Sequence, residues 1–316
     1  MPLTVPDHFV TQFGKNFEHT VQQKASRLKR CAIVNTGCTG EAKTHNLILP
    51  GDDEEITGQR YKKIALQDLD TEKRWNTPRE FRRATGESSF DETLLAPTIM
   101  PGGSHVQAHA ATFARRCDKV LIEGLLGTNY KGANGSTAVE ILAGHIVPTD
   151  YVHTGDDEDS ALTVAKIIEA VKLLRQSEAW NDEARAMGIK LCGVMNADLN
   201  AALLNDANAA SGSRLFSKDF LPPVLDENGM ITSFLGVNWI HYEGIPKAVV
   251  AGDNIVKAAV WTSDGLHFDI WKDLQTHIDV RPDLDHAVQF LSKYAFNACR
   301  HQEEQVVQIN CLDLSA

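Results

Sequence analysis

Apolar residues at helical spacing predict four helices along this chain. The clearest covers residues 104–126, where apolar side chains recur every three or four positions between a capping serine and a closing glycine. At a rise of ~1.5 Å per residue, this helix should be roughly 30 Å long. The same spacing predicts helices over residues 10–28 and 162–176, and a shorter helix that ends at Asp206.

Alternating apolar and polar residues predict strands, most of them in the second half of the chain. Residues 230–240 form two such alternating runs hinged at Gly236. Further strands are predicted at residues 189–194, 248–251, 256–261 and 306–309, with an extended run over residues 288–298. Helices and strands follow one another without an internal repeat, so the predicted fold class is α+β.

Residues 51–85 form a charged segment with few apolar anchors. Between residues 52 and 83 there are eight acidic and eight basic side chains. Such a segment cannot bury enough apolar surface to offset the entropy that it loses on ordering. It is therefore either a flexible insertion or a long hairpin that is ordered by contacts with another subunit.

The composition is that of a folded protein, since 43% of the 316 residues are hydrophobic and 23% are charged. The formal net charge of −11 disfavours sequence-specific DNA binding, because an acidic protein is repelled by the phosphate backbone. Residues 1–33 nevertheless carry five basic against two acidic side chains. This amino-terminal segment either contacts an acidic partner such as DNA or is a solvated run of charge.

The cysteines and the amino terminus indicate the compartment. None of the six cysteines has the close Cys-x-x-Cys spacing of a zinc or redox site, and we interpret them as buried thiols in a reducing compartment. The sequence starts without the basic and then apolar run of a secretion signal, and it has no apolar stretch of about 20 residues. We therefore expect folding in the cytoplasm and no membrane partner.

Two local patterns resemble chemical sites, but each lacks an essential group. Residues 127–132 have the two glycines of a phosphate loop without the Lys and Ser or Thr that hold phosphate and magnesium. His105 and His109 have the spacing of a zinc pair, but Val106 stands where a metalloprotease carries its glutamate. We therefore predict no catalytic, cofactor-binding or metal-binding residues. A cytoplasmic α/β enzyme whose site is assembled from distant residues is an alternative, since such sites leave no local motif.

Several segments, in order along the chain, resemble one protein family. They are Phe13-Gly14-Lys15-Asn16-Phe17 with Ser26-Arg27-Leu28, the Arg115-x-x-Asp118 step of the long helix, Leu203-Leu204-Asn205-Asp206 followed by the strand that breaks at Gly236 and closes near Pro246, and Asp279-Val280-Arg281-Pro282-Asp283 followed by Val306-Val307-Gln308-Ile309. Together these segments resemble the major capsid proteins of tailed bacteriophages (Caudoviricetes), whose fold is shared with encapsulins.

The resemblance implies a tailed-phage major capsid protein fold with four parts. These are an N-terminal arm (residues 1–45), an extended loop (46–87), a peripheral domain with a long spine helix (88–150 and 264–300) and an axial domain (151–263 and 301–316). It also implies a structural coat protein, not an enzyme, that self-assembles into the hexamers and pentamers of an icosahedral head enclosing double-stranded DNA.

The implied partners are further copies of the chain, together with portal, scaffold and decoration proteins. Packaged double-stranded DNA would be contacted non-specifically. The implied location is the virion capsid, after assembly in the host cytoplasm. An encapsulin-type compartment, which has the same fold but encloses an enzyme cargo, is the alternative shell.

We expect contacts between subunits from the two protruding parts of the chain, because neither part can order itself. On the arm the predicted interface residues are Phe13 and Phe17. On the extended loop they are Arg60, Lys62, Lys63, Arg74, Arg79, Arg82 and Arg83. The predicted packing residues of the spine helix are Phe113, Val120 and Leu121.

Overall fold

The computed structural model describes residues 23–51, 53, 68–87, 102–152, 159–210, 223–227, 229–250, 253–284 and 286–313. In these ranges the helices are α1 (Gly102–Leu126), α2 (Val164–Gln176), α3 (Asp182–Ala186) and α4 (Ala197–Ala210). The strands are β1 (Ile33–Thr36), β2 (Lys43–Ile48), β3 (Thr71–Asn76), β4 (Arg79–Glu87), β5 (Asn129–Lys131), β6 (Thr137–Val139), β7 (Ile146–Val147), β8 (Leu191–Met195), β9 (Val224–Leu225), β10 (Ile231–Phe234), β11 (Val237–His241), β12 (Lys247–Val250), β13 (Asp253–Thr262), β14 (Leu266–Arg281), β15 (Ala287–Arg300) and β16 (Val306–Leu312).

The chain divides into two compact units. The smaller unit contains Glu80–Arg116 and Lys272–Tyr294, together with Met1–Ala25. The larger unit contains Ser26–Arg79, Cys117–Trp271 and Ala295–Ala316. The long elements α1, β14 and β15 each contribute residues to both units.

In the smaller unit, strands are paired in the order β14, β15, β4, and the first part of α1 packs on this sheet. Aromatic contacts hold the helix in place. The ring of His105 stacks on Phe290 with 5.0 Å between centroids, and Phe113 meets Tyr294 edge to face, also at 5.0 Å. Phe290 and Tyr294 point to the same face of β15 because side chains alternate along a strand.

The larger unit is built around an eight-stranded sheet with the order β7, β16, β13, β8, β11, β10, β9, in which β12 also pairs with β13. Strand β8 lies between β13 and β11, and all five of its residues are buried. A central strand that is covered on both faces has a continuous apolar sequence, as Leu191–Met195 does. Gly193 lies opposite Trp239, and a Cβ at this glycine would come within 2.7 Å of the indole ring.

Helix α2 covers part of this sheet. Its fully buried face consists of Ile167, Ala170 and Leu174 at spacings of three and four, which is the stripe that the sequence predicts. Thr163 caps the helix by accepting a hydrogen bond from the backbone N–H of Lys166. The buried ammonium group of Lys166 in turn donates to the carbonyl oxygens of Ser160, Ala161 and Asn310, so its hydrogen-bonding capacity is met within the chain.

A further antiparallel sheet in the larger unit has the order β2, β3, β5, β6. Its longest pairing is the β2–β3 hairpin, in register from Lys43 opposite Asn76 to Ile48 opposite Thr71. Strand β1 adds a parallel partner to the first residues of β14, with Ile33 opposite His267. The described part of the charged segment over residues 51–85 thus contains β3 and most of β4.

Most of the predicted elements are confirmed. The helices over residues 104–126 and 162–176 are α1 and α2, and the strands on either side of Gly236 are β10 and β11, with Gly236 at a φ of 79° in the turn. The α+β class is likewise confirmed. Among the described residues, no helix has the length and apolar character that crossing a membrane requires.

Two expectations need correction. The helix predicted over residues 10–28 lies largely outside the described residues, but its described end, residues 23–28, is not helical. Leu28 is buried there and precedes a short 3-10 helix, so its apolar side chain serves the core without belonging to an α-helix. The sequence pattern also did not predict β14, because its inner half is buried on both faces while its outer half is exposed.

Candidate functional site

The end of the β2–β3 hairpin presents apolar side chains to solvent. Ile48 is 68% exposed and Leu69 is 66% exposed, and Leu49 between them is also exposed. The backbone N–H of Leu49 donates to the carbonyl of Asp70 at 2.9 Å, which extends the hairpin by one further pair. We call Ile48, Leu49 and Leu69 the hairpin surface. Clustered exposed apolar groups of this kind mark a site of contact with another molecule.

A second exposed apolar patch lies on the smaller unit. Ile278 and Val280 of β14 are each 59% exposed, and Leu284 after the strand is 55% exposed. Among the described residues β14 has β1 as its neighbour only as far as Ile270, so its outer part is a sheet edge on that side. An exposed edge strand with apolar residues favours association with another chain. We call Ile278, Val280 and Leu284 the edge surface.

The spine-helix residues expected from the sequence lie on the packed side of α1. Val120 is completely buried and Leu121 is 1% exposed, while Phe113 is half-buried against Tyr294. Gly124 permits a close approach of the helix to β15, because a Cβ at this position would lie 2.6 Å from the carbonyl oxygen of Ala298. The spine therefore needs both its apolar residues and one position without a side chain.

The predicted interface residues of the extended loop have different environments. Arg82 is exposed, and Arg79 is exposed with an ion pair to Glu123. Arg83 is half-buried and donates to the hydroxyl of Thr112. The remaining predicted residues Arg60, Lys62 and Lys63 on the loop, and Phe13 and Phe17 on the arm, lie outside the described residues.

Arg74 is the exception in this set, because it is only 3% exposed. Its guanidinium donates to both carboxylate oxygens of buried Glu303, one of them at 2.8 Å. Arg300, which is completely buried, also approaches Glu303, with 3.9 Å between Nε and Oε1. Burial lowers the pKa of Arg300 to about 10. Arg74 is therefore engaged within its own chain, and its burial leaves no guanidinium surface for a contact between subunits.

The Arg115-x-x-Asp118 step of the sequence has a structural role at its acidic end. Asp118 is fully buried in α1, and its carboxylate accepts hydrogen bonds from the backbone N–H groups of Arg27 and Leu28 and from the hydroxyl of Ser26. A carboxylate that receives several hydrogen bonds holds its donors firmly. Asp118 thus fixes the point at which the amino-terminal segment joins the larger unit.

The histidine pair that resembles a zinc site and the glycine pair that resembles a phosphate loop both have structural explanations. The ring of His109 is buried between the hydroxyls of Ser292, at 2.6 Å, and Thr85, at 3.1 Å, and burial lowers its pKa. His105 is stacked on Phe290 instead. In the glycine pattern, the N–H of Gly127 closes the last turn of α1, and the following residues enter β5.

Comparisons with known proteins agree with one another. A family model described as "Phage capsid protein" matches residues 5–313. The capsid of Ralstonia phage GP4 is similar in structure with a TM-score of 0.67 and 9% identity, over 97% of this chain and 96% of that chain. The head structure of Helicobacter pylori bacteriophage KHP40 has a TM-score of 0.68 and 9% identity over 97% and 96%.

The asymmetric unit of the cyanophage Pam1 capsid is similar with a TM-score of 0.66 and 12% identity, over 98% of each chain. Identities this low establish a shared fold, which here extends over nearly the full length of both partners in each comparison. A search of curated proteins found no match to the sequence.

Proposed function

Because the chain belongs to the phage capsid protein family, whose model spans residues 5–313, we propose that it forms the hexamers and pentamers of an icosahedral phage head. It is a structural major capsid protein and not an enzyme, and its copies assemble into the capsid shell of the virion. The encapsulin alternative is not favoured, since the family match is to phage capsid proteins. The length of that match is the observation that carries the proposal.

The exposed apolar groups support an assembly in which neighbouring copies cover them. In this proposal the hairpin surface and the edge surface each meet a neighbouring subunit. Burying an exposed aliphatic side chain contributes roughly 1.5–3 kcal/mol, so a few such groups repeated around a ring stabilise a capsomer. Many modest contacts on a closed lattice then add to a durable shell.

The proposal retains the four parts implied by the resemblance, with the boundaries given above. The arm would lie on a neighbour through Phe13 and Phe17. The extended loop would do the same through Arg60, Lys62, Lys63, Arg79, Arg82 and Arg83. The axial domain would contain most of the eight-stranded sheet, and the peripheral domain would contain α1, β14 and β15.

The remaining partners follow from the role of a phage head. The net charge of −11 suits a wall that encloses double-stranded DNA without binding it tightly, and the basic amino-terminal arm would face the DNA. Portal, scaffold and decoration proteins would contact the shell, and assembly would take place in the host cytoplasm.

Assembly of the purified protein tests the proposal. The wild type should elute from size-exclusion chromatography far ahead of a 34.8 kDa monomer, and negative-stain images should show capsomers or shells. Changing Ile278→Asp and Val280→Asp together should abolish shells while the subunit stays folded, because two carboxylates cannot be buried in an apolar contact.

A matched control comes from the other face of the same strand. Gln275 and His277 are exposed and alternate with the edge-surface residues, so Gln275→Asp with His277→Asp adds as many acidic groups to the same strand. This control should still assemble. A wild type that remains monomeric at every concentration contradicts the proposal, and an assembling Ile278→Asp/Val280→Asp variant removes the edge surface from it.

A further inference from the structure

Three strands bring His45, Asp269 and Cys299 together inside the larger unit. His45 is on β2, Asp269 on β14 and Cys299 on β15. Their ligand atoms, one from each residue, lie within 4.8 Å of one another. The side chain of His45 is 9% exposed, the side chain of Asp269 is fully buried, and Cys299 is 2% exposed.

The carboxylate of Asp269 is held in a fixed orientation. Its Oδ1 accepts from the amide of Asn35 at 2.8 Å, and its Oδ2 accepts from the amide of Asn76 at 2.7 Å. Oδ2 also lies 2.8 Å from Nε2 of His45. Amide donors placed around a carboxylate in this way are typical partners of a metal ligand, because they orient it without occupying all of its lone pairs.

Two buried polar atoms at the border of the cluster lack a hydrogen-bond partner among the described residues. One is Oδ1 of Asn76, whose amide nitrogen already contacts Asp269. The other is Nε2 of His267, whose ring stacks on His45 with 4.1 Å between centroids. Nδ1 of His267 accepts from the amide of Asn35 at 3.4 Å, so its Nε2 carries the ring hydrogen, whereas Oδ1 of Asn76 is an acceptor. Buried polar groups are almost always satisfied, so a bound species that donates a hydrogen to Asn76 Oδ1 is expected at this place.

We propose that His45, Asp269 and Cys299 bind one divalent transition-metal ion of the zinc class, with a water molecule as the fourth ligand. Nitrogen, oxygen and sulfur ligands in a four-coordinate arrangement suit zinc. On binding, the thiol of Cys299 releases its proton to solvent, and the thiolate and the Asp269 carboxylate together balance the two positive charges of the ion. A hydrogen of the bound water donates to the unpartnered acceptor, Oδ1 of Asn76.

Small side-chain rotations would bring each ligand atom to a coordination distance of about 2.0–2.3 Å from the ion, in place of the present hydrogen-bond distances between the ligands. Since β2 belongs to the hairpin sheet while β14 and β15 do not, the ion would tie that hairpin to the sheet beside it. The paired strands β2 and β3 would then be held in place by a coordination bond as well as by packing.

Zinc and cobalt binding by the purified full-length protein test this inference. After incubation with Zn²⁺ under reducing conditions and gel filtration, the wild type should retain about one tightly held ion per chain, and zinc should raise its Tm relative to a chelator. Loading with Co²⁺ instead should produce the near-ultraviolet charge-transfer absorption of a cobalt thiolate.

Cys299→Ser should lose both the cobalt absorption and the retained zinc. Cys311→Ser is the matched control, because it removes a thiol that is equally buried but lies in the eight-stranded sheet away from the histidines. Asn76→Ala should weaken zinc affinity by about 10–100-fold, which is the usual effect of losing a group that orients a ligand.

Two results would overturn the inference. One is a folded wild type that retains no zinc and has the same Tm in zinc and in chelator. The other is a loss of the cobalt absorption in Cys311→Ser as large as in Cys299→Ser. If Cys299→Ser does not fold, the comparison of wild type with Asn76→Ala decides, and equal zinc affinity in these two proteins counts against the site.

Discussion

Replacing Glu303 by Gln tests whether the buried ion pair stabilises the larger unit. The carboxylate of Glu303 is 4% exposed and faces two buried guanidinium groups, those of Arg74 and Arg300. Glutamine has almost the same size, so the change removes the charge without opening a cavity. Its amide oxygen can accept from Arg74, but its NH2 group then faces a second donor, and Arg300 loses its nearest anion.

Breaking a buried ion pair by removing one partner costs roughly 3–5 kcal/mol, because the other charge is left in the interior. Arg74 keeps a weaker partner in Glu72, at 3.4 Å, and Arg300 keeps the carbonyl oxygens of Leu125, Gly127 and Val139. We therefore expect a loss of about 3 kcal/mol, toward the lower end of that range. An unfolding entropy of about 2.1 cal/mol/K per residue converts this loss, for 316 residues, to a Tm lower by roughly 4–5 °C.

Thermal unfolding of unassembled subunits, followed by circular dichroism, measures this effect without the stability that association adds. Asp283→Asn is the control, because its pair with Arg281 is exposed to solvent and should leave the Tm unchanged. The combined variant Arg74→Met/Glu303→Met should be less destabilised than Glu303→Gln, since both buried charges of that pair are removed together. A Tm of Glu303→Gln within about 1.5 °C of the wild type, which corresponds to about 1 kcal/mol or less, would refute the reasoning.

Three further predictions concern packing, pH and the arm. Gly124→Ala should destabilise the subunit by about 1–3 kcal/mol in chemical denaturation, because its methyl group meets the backbone of β15, whereas Gly144→Ala, with open space around it, should not. The free energy of unfolding should fall as the pH drops below about 6.5, because the lowered pKa of buried His109 lets the unfolded chain take up a proton before the folded one does. His109→Gln should show a smaller decrease over the same pH range, and an identical pH profile would contradict this assignment. Phe13→Ala with Phe17→Ala should leave a soluble, folded subunit that assembles poorly, and shells in normal yield would rule out the proposed docking of the arm.

Periodicity predicted the elements whose two faces have different surroundings. The helix α1 has one packed face and one polar face, so its apolar residues repeat at helical spacing and reveal it. Strand β14 changes its surroundings along its length, from buried at Phe268 to exposed at Ile278, and no single period describes it. Its outer end does carry a local signal, since Ile278 and Val280 alternate with polar residues, but this is too short to distinguish a core strand from an exposed edge.

Charge was a poorer guide than apolar pattern at the level of single residues. Arg74 stands in a segment of alternating charges and has no local feature that separates it from Arg79 or Arg82. It is buried because Glu303, far away in the sequence, lies against it in the folded chain. The sequence could therefore identify the segment as charged and poor in apolar anchors, but it could not show which arginine is buried in an ion pair inside the subunit.

The sequence alone determined the order of helices and strands, the fold class and the family. These follow from short-range patterns, because helix stripes, strand alternation and turn glycines each depend on neighbouring residues. Pairings between distant residues depend on chain topology. His45, Asp269 and Cys299 come from three separate strands, and the sequence around any one of them does not indicate the other two. The same holds for the surfaces left uncovered, such as Ile48 beside Leu69. Whether an apolar side chain is core or contact surface is decided only when the remaining chain has folded and either covers it or leaves it to a neighbour.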